Sequence, residues 1–156
     1  MPYKAHTQKH DIIVNEIIST CYVRQSISGL NEEDDFVEIS ALWDTGATHS
    51  VISTKAAILL NLVPVKKTSI IHAGGRSFVS VYDVDVLLPN NHLIQYVSVS
   101  ETELFDLDLL IGMDIISRGD FSITNKDGKT TFSFRLPSYK EIDFEAEYKK
   151  IKANEH

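Results

Sequence analysis

Ala41-Leu42-Trp43-Asp44-Thr45-Gly46-Ala47-Thr48-His49-Ser50 decides how this chain is read. The residues before it alternate from Phe36 to Trp43, with Val37, Ile39, Ala41 and Trp43 on one face of an expected strand. A carboxylate follows that strand directly, and a hydroxyl residue and a glycine follow the carboxylate. Gly46 permits a backbone path that a side chain would hinder, so backbone N–H groups can reach Asp44 and favour its ionised form. The plain reading is an Asx-turn at a strand end. The chemical reading is an acid held ready at a tight turn. Hydrolysis by carboxylates usually needs two of them close together, and Asp-Thr-Gly occurs once here.

Strand signals extend outward on both sides. Asp11 to Val23 is rich in β-branched residues, and Asn31-Glu32-Glu33-Asp34-Asp35 is an acidic, loop-like break. Ser53 is placed as the N-cap of a short helix running to Leu60, stopped by Pro64. Thr68 to His72 and Phe78 to Leu88 read as strands around Ala73-Gly74-Gly75-Arg76. Pro89-Asn90-Asn91 turns the chain into a further strand, His92 to Ser100. Leu109-Leu110-Ile111 is a short apolar run ended by Gly112, with a helical turn or two from Met113 to Ser117. Asp127-Gly128 between Phe121–Thr124 and Thr131–Phe134 is a hairpin signal. The sum is eight or nine strands with two short helices: an all-β domain, a small closed or sandwich-like sheet.

Composition sets the outer limits. The chain has 156 residues, which fits one domain, and 43% of them are hydrophobic, enough for a real core. No apolar run reaches the length of a membrane span, and the first ten residues lack a signal-peptide apolar stretch. The expectation is a soluble, cytoplasmic protein with residues 1–10 as a flexible N-terminus and 137–156 as a charged C-terminal tail or helix. The net charge of −7 argues against nucleic acid as a partner. Cys21 is the single cysteine, so no disulfide or thiolate cluster is expected, and a core role outweighs a catalytic one.

Taken singly, Leu109–Asp114 is an ordinary strand-to-helix turn and Gly74-Gly75 an ordinary hairpin tip. Their order after Asp44 is what matters. Through Ala41–Thr48 and Leu110-Ile111-Gly112-Met113-Asp114, the chain resembles the retropepsin-like aspartic proteases, the single-domain retroviral type and its bacterial relatives. The likeness runs over residues 11–136. The Asp-Thr-Gly-Ala segment with a later apolar-apolar-Gly is specific, and the flap match is looser.

The resemblance implies a closed β-barrel or sandwich and a homodimer in which each subunit gives one aspartate to a shared site. Asp44 would be the catalytic residue, acting on a water held between the two copies, with no cofactor and no metal. Thr45 would bond across the interface, Gly46 and Ala47 would support the site, and Ile111-Gly112 would pack against the Asp44 loop. Ala73, Gly74, Gly75 and Arg76 would form a flap over an extended peptide or protein substrate. The chain departs from the family in three places. Retroviral members often carry Arg at the position of Met113, paired with an acid at the positions held here by Thr48 and His49, so that ion pair is absent. His72 stands where a flap glycine is common, and the shortest members lack the tail.

Other candidates are weaker. His6 and His10 have metal-pair spacing on a helix, but a solvated end is favoured. His49 reads as a surface histidine, Asp106 and Asp108 as solvent-facing, and Asp114 as a helix-start residue. The rival function is a non-catalytic dimeric peptide-binding module with the same fold; a dimerising structural protein ranks third. Product formation from a peptide library separates them.

Overall fold

A computed structural model describes residues 2–26, 36–72 and 74–154. The acidic break at Asn31–Asp35 and the flap residue Ala73 lie outside the described residues. Among the described residues ten strands run in chain order: β1 (Lys4–Lys9), β2 (Ile18–Gln25), β3 (Val37–Trp43), β4 (Val51–Ser53), β5 (Lys66–His72), β6 (Gly75–Leu87), β7 (Leu93–Thr102), β8 (Leu109–Ile111), β9 (Asp120–Thr124) and β10 (Thr131–Leu136). The helices are α1 (Thr54–Leu59), α2 (Met113–Ile116) and α3 (Phe144–Asn154). None of them is long and apolar enough to cross a membrane.

Six strands close into a barrel. The neighbours run β2-β3-β8-β4-β7-β6, and a further pairing of β2 with β6 shuts the ring. Strand β5 continues the sheet beyond β6 as one arm of a long hairpin. The β3–β8 and β4–β7 pairs are parallel, the rest antiparallel. This is an all-β fold, a closed barrel with few short helices, as the sequence reading expects. The alternation read in the sequence holds: Ile39, Ala41 and Trp43 are buried on β3 while Glu38 is exposed. A second, three-stranded sheet, β1-β10-β9, lies against the barrel. Phe132 and Phe134 of β10 and Phe121 of β9 gather around Trp43, with ring centroids 4.8–6.2 Å from the indole. Tilted aromatic contacts of this kind add to the area they bury.

Helix α1 begins as expected, with the Ser53 hydroxyl accepting from Ala56 N–H at 3.0 Å. The first ten residues, expected as a flexible end, instead hold β1. It is polar because it is an edge strand, fixed by its ladder to β10 rather than by apolar burial. Gln8 adds to this by donating to Ile18 O at 2.8 Å and accepting from the Ser19 hydroxyl at 3.0 Å. His6 and His10 thus lie on and just after a strand, not on a helix. His6 meets the Phe132 ring edge-on and His10 Nε2 lies 3.1 Å from the Gln8 amide. Cys21 is fully buried, and burial pushes its thiol up to about 12, far from a reactive thiolate.

Candidate active site

Strand β3 delivers Asp44 to the rim of the barrel. Asp44 N–H donates to Ile111 O at 2.9 Å, which extends the parallel β3–β8 ladder by one residue and fixes the start of the loop. The chain then turns at once. Gly46 N–H donates to the Asp44 carboxylate at 2.8 Å, and Ala47 N–H donates to Asp44 O at 3.3 Å. A Cβ on residue 46 would sit 3.1 Å from that carboxylate oxygen, so glycine lets the amide approach this closely. Asp44 is half-buried, while Thr45 and Gly46 are exposed at the loop tip. The acid therefore stands at a surface, held by a backbone donor.

The second loop crosses the first. Met113 N–H donates to Ala47 O at 2.8 Å, bringing Gly112 against the Thr48–Ser50 backbone. A Cβ on residue 112 would meet His49 C at 2.7 Å and the carbonyl oxygens of Ala47 and His49 at 2.9 Å. All three are backbone atoms, so only glycine fits without parting the loops. Asp44, Thr45, Gly46, Ala47, Ile111 and Gly112 are thus brought together as one unit.

The sequence reading missed Ser50 and undervalued Asp114. Ser50 is fully buried. Its hydroxyl donates to Asp114 Oδ1 at 2.7 Å and accepts from Gly112 N–H at 3.0 Å, and its own N–H donates to both Asp114 oxygens at 3.0 and 3.1 Å. Asp114 also sits in the first turn of α2, where a carboxylate is favoured. This serine–carboxylate latch ties the two loops together in a chain that lacks the retroviral ion pair. Asp108 also departs from expectation. Rather than facing solvent, it is half-buried and accepts from Ser40 N–H at 2.9 Å and the Ser40 hydroxyl at 3.1 Å, bracing β3. Asp106 is exposed as expected.

Gly74, Gly75 and Arg76 stand apart from these loops, at the tip of the β5–β6 hairpin. Gly75 has φ +119° and pairs with His72, and Arg76 is exposed. Along the hairpin arms, Ile71 and Phe78 are 79% and 73% exposed, an apolar surface left open among the described residues. A groove of about 540 Å³ runs beside the arm between Thr54, Phe78, Ser80, Glu101 and Glu103. Among the described residues, no cluster of three or more His, Cys, Asp or Glu is arranged to hold a metal ion.

The chain is similar to a retropepsin-like aspartic protease from Rickettsia conorii, at 12% identity, TM-score 0.52 and coverage of 86% of this chain and 95% of that one. It is also similar to EIAV protease, at 18% identity, TM-score 0.48 and coverage of 68% and 92%. The retroviral protease-like domain of Ddi1 from Leishmania major matches at 17% identity, TM-score 0.47 and coverage of 77% and 95%. No protein with a curated description matches the sequence. The family described as "gag-polyprotein putative aspartyl protease" matches residues 35–118, from just before β3 to the end of the α2 turn. That match spans more than half of the chain, and the chain belongs to this aspartyl protease family.

Proposed function

We propose that this protein is a homodimeric aspartic endopeptidase whose active site forms where the Asp44 loops of two copies meet. The observation that carries the reading is one half-buried Asp44 carboxylate, held beside an exposed loop tip by Gly46 N–H, in a chain of the aspartyl protease family. A single such acid has no partner for push-pull chemistry, and two-fold symmetry supplies the same residue from a second copy. Two carboxylates at hydrogen-bond distance cannot both ionise easily, so the pair holds one proton between them. One Asp44 takes a proton from the attacking water while the other donates to the scissile carbonyl oxygen. In this reading Thr45, exposed beside Asp44, bonds across the two-fold. The β5–β6 hairpin serves as the flap, giving backbone hydrogen bonds to an extended peptide.

The test is cleavage of a peptide library at mildly acidic and neutral pH, with products read by mass spectrometry. Asp44→Asn keeps an acceptor for Gly46 N–H and removes the titrating group. It is expected to lower turnover by about 10²–10⁴-fold with the fold intact. Wild-type protein that binds peptide but never yields product, or an Asp44→Asn variant with full activity, overturns the proposal.

A further inference from the structure

A chain of hydrogen bonds runs from the N-terminal strand to the residue before Asp44. Trp43, the single tryptophan of the sequence, is buried. Its indole Nε1–H donates at 2.9 Å to the hydroxyl oxygen of Ser19, which is buried too. The Ser19 hydroxyl donates in turn to Gln8 Oε1 at 3.0 Å. Gln8 Nε2 donates to Ile18 O at 2.8 Å and lies 3.1 Å from His10 Nε2. Side chains of β1, β2 and β3 are thus joined in one line that ends beside the Asp44 loop.

Chemistry forces the direction of each bond. An indole N–H can only donate, so the Ser19 oxygen accepts from it. The one proton of that hydroxyl then goes to Gln8, whose oxygen must face it. A backbone carbonyl can only accept, so the Gln8 amide nitrogen must face Ile18 O. That nitrogen is a donor only, so His10 Nε2 accepts from it. In this arrangement His10 is the neutral tautomer with its proton on Nδ1. A protonated imidazole donates from both nitrogens, and its Nε2–H would meet the Gln8 N–H groups head-on. Turning the amide over relieves that clash but sets the amide oxygen against Ile18 O. It also leaves the Ser19 hydroxyl proton without Gln8 as its acceptor. Either way the line is broken at Gln8.

The charged groups around His10 among the described residues are Glu16, which lines the same surface hollow, the exposed Lys9, and the exposed Asp11–Lys129 pair at 3.5 Å. His10 N–H donates to Thr130 O at 2.8 Å, so its backbone is fixed while the half-buried ring remains in reach of solvent. At the other end, Trp43 N–H donates to Ile17 O at 3.0 Å, and the next residue, Asp44, donates to Ile111 O at 2.9 Å. Phe121, Phe132 and Phe134 pack around the indole, and the Ser19 oxygen sets how it is turned. Without that oxygen the indole N–H is a buried, unsatisfied donor, which drives the ring to shift.

We propose that Ser19 and Gln8 are positioning residues for Asp44, and that through Trp43 they couple protonation of His10 to the seating of the Asp44 loop. The effect on turnover rests on the protease reading; the coupling itself does not. With His10 neutral the line is complete. On acidification the His10–Gln8 bond breaks, Gln8 turns away, and the Ser19–Trp43 pair loses its support.

Trp43 is its own reporter in the full chain. Its fluorescence emission is recorded from about pH 8 to about pH 5, the range in which histidine changes charge. Amide exchange of residues 43–50, read by mass spectrometry at one fixed pH above that range, reports the seating of the loop. Wild type is expected to show an emission shift on acidification. His10→Gln keeps an acceptor at about the reach of Nε2 but cannot titrate, and it is expected to lose the shift. His6→Gln and His92→Gln are expected to keep it. Ser19→Ala is expected to move the emission at every pH and to speed exchange of residues 43–50. In the peptide assay it should lower kcat about tenfold with KM within about twofold. Ser19→Thr restores the hydroxyl and is expected to recover all three readouts. Circular dichroism and a cooperative melt check that Ser19→Ala folds; where it does not, Gln8→Ala takes its place. A wild type without the shift, a shift that survives in His10→Gln, or a folded Ser19→Ala with wild-type exchange at residues 43–50 overturns the proposal. A loss of kcat that Ser19→Thr does not recover overturns it as well. A wild-type chain that cleaves no peptide overturns the protease reading instead, and emission and exchange then decide the coupling by themselves.

Discussion

Ser50→Ala is the most informative single change, because Ser50 touches neither substrate nor partner in the geometry above and yet holds the site together. The variant keeps the backbone bond from residue 50 to Asp114 and deletes both hydroxyl bonds, the 2.7 Å donation to Asp114 Oδ1 and the 3.0 Å acceptance from Gly112 N–H. Gly112 N–H is then left buried without that acceptor, at a cost of about 1–3 kcal/mol. The lost bond to a charged carboxylate adds to this, offset in part because Asp114 still accepts from the N–H groups of residue 50 and Ile115. The sum is about 2–4 kcal/mol. At about 2–4 °C per kcal/mol for a domain of this size, the melting temperature should fall by about 4–16 °C. Scanning calorimetry at one fixed protein concentration measures it, since association shifts the midpoint. Thr48→Ala, an exposed neighbour in the same loop, is the control and should change stability by less than about 0.5 kcal/mol. In the peptide-cleavage assay Ser50→Ala should lower kcat more than it raises KM, because the loop that aims Asp44 is loosened while the peptide-binding surface stays. A Ser50→Ala chain that melts with wild type would refute the latch.

Two further outcomes follow from other close approaches. Gly112→Ala forces a Cβ against three backbone atoms at 2.7–2.9 Å and should cost about 1–3 kcal/mol by overpacking; a melting curve superposable on wild type would contradict the crossed-loop geometry. Asp120 concerns pH. The Ser138 hydroxyl, then the Tyr139 N–H, with Arg135 and the Lys140 N–H behind them, hold its carboxyl well below its ordinary value of 3.8. A depressed native pKa means that the unfolded chain takes the proton first. Its contribution is therefore complete above pH 3.8 and is lost as pH falls below that value. Thermal melts of wild type and Asp120→Asn from pH 6 to pH 2.5 should keep a constant gap down to about pH 4 and begin to draw together below pH 3.8, and a gap that stays constant throughout would refute the assignment.

The parts of the fold that were legible in the sequence are those whose cause is local. The buried face of β3 follows from period-two alternation over Val37–Trp43, and the start of α1 from a Ser53 hydroxyl three residues from the amide it caps. Gly46 bonds a carboxylate two residues away, so the Asp44 turn could be read from its own tripeptide. What was not legible is held by distant partners. Strand β1 has an edge strand's polar composition, and its ladder partner Leu136 lies at the other end of the chain from Lys4. Strand β4 is three residues long, too short to show a period between the Asp44 loop and the α1 cap. Asp108 looked like a solvent-facing acid between leucines because Ser40, which it braces, is 68 residues away.

Ser50 and Asp114 show most plainly why a motif is easier to find than the frame that holds it. They are 64 residues apart, and neither is unusual in its own segment: a serine after an exposed loop, an aspartate in the first turn of a four-residue helix. Only the meeting of the β3–β4 connection with the end of β8 makes them partners. The departure at Met113 was visible, and it indicated that an ion pair was missing there, but not what replaced it. The replacement depends on three things at once. Gly112 must lack a Cβ so that the loops can touch, Ser50 must be small enough to be fully buried between them, and Asp114 must stand in the first turn of α2. Each condition alone is unremarkable in sequence; together they orient the one carboxylate on which the proposed chemistry depends.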